Sequence, residues 1–110
     1  MNSVPECDWK VFTRIHPVAL ERFCEQVIQE LEKLLADSAK SSHDRYLATY
    51  ALVKERNKEL ANTFDDYRRS TAFWQIAIMY NRGLLTEAEF QQFSSETRNS
   101  ILASQRIARA

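Results

Sequence analysis

Apolar positions along residues 20–64 recur at helical spacing. Leu20, Cys24, Val27, Leu31 and Leu34 advance in steps of four and three. Phe23, Ile28 and Leu35 widen that stripe, while Glu21, Glu25, Gln29, Glu32 and Lys33 fall on the other side. This is the pattern of an amphipathic helix with one face toward a core. Proline is favoured at the first helical position, where its missing N–H costs nothing, so Pro17 marks the start and the helix is predicted over 17–37. The stretch "DSAKSSHD", Asp37 to Asp44, is small and polar and reads as a linker. Ser41 or Ser42 can cap the next helix, whose first turn gains Asp44. That second helix, 43–63, carries Tyr46, Tyr50, Val53, Asn57, Leu60 and Phe64 on one stripe, broadened by Leu47 and Ala51. Two such helices joined by a short loop pack as an antiparallel hairpin.

The segment "TAFWQIAIMYNRGLL", Thr71 to Leu85, has Gln75 as its sole polar residue between Ala72 and Tyr80. Trp74, Ile76, Ile78 and Tyr80 alternate as a strand would, but start and stop signals at both ends favour a helix over 66–82. Asp65 or Asp66 stands where an N-cap is needed. Gly83 stands where a helix ends in the left-handed region, with Leu84 as the hydrophobic residue that follows. In "LLTEAEFQQF", Thr86 and Glu89 form a capping box, and Leu85 and Phe90 occupy the two positions of a hydrophobic staple, so a short helix spans 87–93. A fifth, 95–108, starts at Ser94 or Ser95. Residues 1–15, bracketed by Pro5 and Pro17 and containing "WKVFTRI", read as an extended arm. The expected fold is a single all-α domain: an N-terminal arm, a long antiparallel hairpin, a third hydrophobic helix and a short C-terminal helix pair, about five helices in a compact bundle.

Composition agrees with this. One glycine and two prolines among 110 residues are too few for the turns of an all-β fold. Basic and acidic residues balance at 15 each, and no basic block provides the electrostatic footprint of a nucleic-acid or membrane-surface protein. Cys7 and Cys24 form no metal or redox motif, and two lone thiols point to a reducing cytoplasmic compartment. The first residues lack the charged-then-apolar pattern of a signal peptide, and no apolar run approaches the ~20 residues of a membrane span. There is no GxSxG, P-loop, GxGxxG or HExxH. His16 and His43 have no second ligand at metal spacing. The sequence therefore predicts no enzyme, no metal and no cofactor.

What remains is recognition. On the third helix Phe73, Ile76, Ala77 and Tyr80 share one face, which suffices for packing on the hairpin. Trp74 and Ile78 share another, and burying each is worth about 1.5–3 kcal/mol. A surface centred on Trp74 and Ile78 is thus a candidate for a protein partner or a second copy of the chain. Asn57, a lone amide on an apolar stripe, is a candidate for fixing register across an interface. Adaptor, immunity and antitoxin roles all fit a small protein of this kind, with a homodimer as the first expectation. Arg68 and Arg69, at a helix start where the dipole disfavours them, call for an acidic neighbour on the first helix. The alternative is a DNA-binding helix-turn-helix over 86–108, with Arg98, Asn99 and Arg106 reaching bases or phosphates. Against it stand Gln91 where a small residue is needed, a turn without glycine, and a local charge of zero. If Asn57 specifies register, Asn57→Leu raises the thermal midpoint while broadening the distribution of assembly states in sedimentation velocity.

Overall fold

A computed structural model describes the backbone from Ser3 to Arg109 and side chains as far as Arg106. It contains five helices and, among the described residues, no strand: α1 Glu6–Leu35, α2 Ser42–Phe64, α3 Arg69–Asn81, α4 Glu87–Phe90 and α5 Ser95–Arg109. The all-α bundle expected from the hydrophobic pattern is present.

The largest departure is at the N-terminus. From Glu6 the predicted arm is helix, α1 runs unbroken to Leu35, and Pro17 lies inside it instead of starting it. Met1 and Asn2 fall outside the described residues. An internal proline removes one helical hydrogen bond and costs roughly 3 kcal/mol. Packing offsets this: Val11, Phe12 and Ile15 before Pro17, and Ala19 and Phe23 after it, are all buried on one side. The β-branched residues of "WKVFTRI" have some strand preference, but a shared buried stripe on both sides of the proline overrides local propensity.

Asp8 fixes where this first segment goes. Its carboxylate is fully buried and accepts three hydrogen bonds, from Ser94 N (2.7 Å), Ser94 Oγ (2.7 Å) and Thr97 Oγ1 (2.6 Å). The start of α1 thereby supplies the anion at the start of α5, where the helix dipole favours one. Val4 is buried beside it, and the Arg69 guanidinium donates to the Val4 carbonyl and to Glu6. The acidic neighbour that Arg69 required is thus Glu6 on α1.

The other ends follow local chemistry. Ser41 accepts from Asp44 N and caps α2. α3 ends in a two-bond Schellman motif: Gly83, at φ 72°, donates to the Tyr80 carbonyl and Leu84 donates to Met79. Thr86 and Glu89 make both bonds of the capping box, and Leu85 and Phe90 are buried as the staple requires. The predicted aspartate cap on α3 is not formed. α3 begins at Arg69 without a side-chain cap, and Asp66, at φ 59°, is held instead by Arg68. α4 stops at Phe90, earlier than the predicted 93.

The core is concentrated at one end. Phe12, Phe23, Ile76, Met79, Leu84, Phe90 and Ile101 are all within 1% of full burial. Arg22 reaches across from α1 to grip Glu89 (2.6 and 3.1 Å) and the Leu84 carbonyl. Between Phe23 and Thr63, by contrast, no residue is buried. The hairpin formed by the second half of α1 and most of α2 projects from the globular end. The radius of gyration is 16.6 Å, against about 13 Å for a compact chain of this length.

Asp8→Ala should lower the unfolding free energy by about 2–3 kcal/mol, because it strands three donors at a buried site. Ser94→Ala should cost less, since the backbone donor remains. Urea denaturation of the two variants checks the order.

Candidate functional site

The projecting hairpin holds an extended apolar surface. α2 faces α1 through Arg45, Ala48, Thr49, Leu52, Arg56 and Glu59, all half-buried. These positions lie about a third of a turn round α2 from the stripe Tyr46, Tyr50, Val53 and Asn57. That stripe, expected to face the core, is exposed: Tyr46 71%, Tyr50 66% and Val53 38%. On α1 the matching residues are Cys24, Ile28, Leu31 and Leu35. Ile28 and Leu35 are about half exposed, Cys24 and Leu31 half-buried.

Both stripes look to the same side. A shallow, mostly apolar groove of about 170 Å³ is lined by Phe23, Cys24, Val27 and Ile28 of α1 and by Val53, Arg56, Asn57 and Leu60 of α2. A second hollow, nearer the tip, lies between Leu35 and Tyr46. Together they make a lateral face two helices wide. Cys24, read as a core residue, is half-buried against the core and also lines this face. α3 has 13 residues against 23 in α2, about 20 Å against about 35 Å at the helical rise, and its contacts are with the globular end.

Ion pairs cross the hairpin seam, centred on Arg56, which also lines the groove. The Arg56 guanidinium makes two bonds to the Glu30 carboxylate (3.0 and 2.8 Å) and one to Glu59 (3.0 Å). Arg82, whose guanidinium lies over the Phe23 ring, pairs with Glu59 at 3.4 Å. The hydrogen bonds from Arg56 hold the Glu30 carboxyl below its ordinary pKa against a smaller opposing effect of burial, and raise Arg56 in turn.

The three residues proposed from sequence are placed differently from one another. Asn57 is exposed and lines the hairpin groove. Trp74 is 58% exposed, set edge-on against Phe73. It lines a shallow hollow with Ala61 and Asn62, one turn along α2 from Asn57. Ile78 is half-buried. The polar residue of this helix is the one turned inward: Gln75 is buried, and its amide donates to the Asp65 carbonyl at the end of α2. The arginines of the helix-turn-helix alternative divide as well. Arg98 turns back on its own chain, to the Phe93 carbonyl and Gln91, whereas Asn99 and Arg106 are exposed on α5.

Tyr46, Tyr50, Val53, Ile28 and Leu35 are the surface residues that sequence reasoning assigned to the core. One signal could have separated them: the two stripes run the whole length of the hairpin, and no later helix is long enough to cover it. No helix among the described residues is long and apolar enough to cross a membrane. No protein-family model, curated protein or solved structure matches this chain.

A pH dependence follows from the Glu30–Arg56 pair. Because the folded-state pKa of Glu30 is depressed, its contribution is complete above the ordinary carboxylate range and is lost as the pH falls through the depressed value. Denaturation midpoints of wild type and Glu30→Gln should therefore differ most at neutral pH and converge in acid.

Proposed function

We propose that this chain works by binding protein, without chemistry of its own, through the lateral face of the α1–α2 hairpin. One observation carries this reading: from Phe23 to Thr63 an ordered hairpin presents an apolar stripe on each helix and buries neither. A two-helix arm is marginal by itself, since helices in proteins draw most of their stability from the packing of an apolar face. A contiguous patch rich in tyrosine and branched aliphatic residues is the composition of an interface centre. Asn57 lies within the patch and Trp74 extends it toward the globular end, with Ile78 behind it. An adaptor, an immunity protein and an antitoxin all act through such a surface. The free thiols of Cys7 and Cys24 support a cytoplasmic setting.

A photo-crosslinking amino acid at Tyr50 should yield a covalent protein adduct in cells expressing the chain. The same group at Glu55, on the far side of α2, should yield none. Equal labelling at both positions, or at neither, would overturn the reading.

A further inference from the structure

We infer that the occupant of the hairpin face is a second copy of this chain, and that the two hairpins form a four-helix bundle with α1 of each lying over α2 of the other. This rests on the protein-binding reading above and names its partner.

Three observations select this occupant. The first is size. The face extends from Cys24 to Leu35 on α1 and from Tyr46 to Leu60 on α2, about 20 Å long and two helix diameters, about 20 Å, wide. A single foreign helix laid in the groove would cover half that width and leave one row of exposed side chains wet. A second hairpin matches both dimensions. With side-chain relief, the contact would bury on the order of 1,200 Å² in total, the lower bound for a specific interface.

The second observation is charge. Beyond the apolar stripe, the outer rim of α1 carries Glu21, Glu25 and Glu32, and the outer rim of α2 carries Lys54 and Lys58; all are exposed. Among the described residues neither Glu32 nor Lys54 has an ion-pair partner, and Lys58 meets only Glu55, at 3.9 Å on the surface. Two face-to-face arrangements have twofold symmetry. If the tips point in opposite directions, α1 lies on α1 and the acidic rims meet. If the tips point the same way, α1 lies on α2 and each acidic rim meets a basic one. The cross-hairpin contacts Glu30–Arg56 and Phe23–Phe64 fix which residues share a level. On that scale Glu32 of one copy stands opposite Lys54 of the other, with Glu25 within a turn of Lys58. A net charge of zero leaves no long-range repulsion to oppose the encounter.

The third observation is access. The globular end bears on the hairpin from the side of Arg22, Phe23 and Glu59, through Glu89, Leu84 and Arg82. The apolar face meets that contact only at Phe23, at the end of the groove nearest the globular part, so two copies can meet along the rest of the hairpin. Like charges at the rim and a mismatched amide would penalise other registers, and Asn57 of each copy lies inside the contact.

Light scattering on the eluting full chain, with reductant and across a concentration series, tests this. The expected mass is twice 12.9 kDa at micromolar protein. Tyr50→Asp should weaken the dimer by at least about a hundredfold, because the residue occurs twice in the contact. Glu32→Lys and Lys54→Glu should each weaken it, by roughly tenfold, and the double reversal should restore it. Circular dichroism confirms that each variant is helical. A single-chain mass up to about 100 µM overturns self-association, while a foreign adduct at Tyr50 would then leave the protein-binding reading standing. A dimer that both single reversals weaken and the double reversal does not rescue overturns the α1-over-α2 arrangement. A dimer indifferent to Tyr50→Asp places the contact elsewhere and overturns the inference.

Discussion

The buried carboxylate of Asp8 is the constraint on which the arrangement of this fold depends. A buried carboxyl group must be met by hydrogen-bond partners, and Asp8 finds three at the start of α5, on Ser94 and Thr97. That requirement joins residue 8 to residues 94 and 97. It makes the first turns of α1 part of the globular end. With both ends of the chain gathered there, α3 and α4 are closed between them, and Arg22 locks the α4 cap onto α1 through Glu89. Beyond Val27, α1 runs outward alongside α2.

That division gives the molecule two kinds of helix pairing. At the globular end, helices share a core of phenylalanines and aliphatic side chains: Phe23 is edge-on to Phe64, and Phe90 is stacked on Tyr80. Along the hairpin they are held by a narrower seam of Leu52, Leu31 and Leu34 and by a bidentate arginine–glutamate bridge on one side. An arginine fork fixes geometry as well as charge. The bridge spans the seam in the rotation that leaves the tyrosine stripe of α2 outward.

Local signals in the sequence were legible at several helix ends, though the aspartate cap read for α3 is not formed. The Thr86–Glu89 box, the Gly83 termination and the Ser41 cap each satisfy backbone groups with residues three or four positions away, and each is formed as read. The hairpin was legible too, because its periodicity is strong and its loop short. Pro17 misled because a good local reason for a helix to start was outweighed by burial of Phe12 and Ile15 against residues distant in sequence. Asp8 was illegible for the same reason, since its partners lie 86 and 89 positions away. The stripe at Tyr46, Tyr50 and Val53 failed in a third way. Periodicity identifies which side chains share a face, but says nothing of what covers that face. Trp74 was recognised as surplus to the core, whereas the larger surplus beside it was taken for core.

The continuity of α1 has an evolutionary consequence. At 1.5 Å per residue its 30 residues make a rod of about 45 Å, close to the 51 Å length of the whole molecule. Its last two turns lie alongside α2. Paired insertions or deletions of seven residues, two turns in each arm, would change the reach of the hairpin while keeping both faces nearly in phase and the globular end untouched. Arm length is thus free to drift in a way the core is not, and chains of this design can diverge in length first at the tip, around Asp37 to Ser41, by whole pairs of turns.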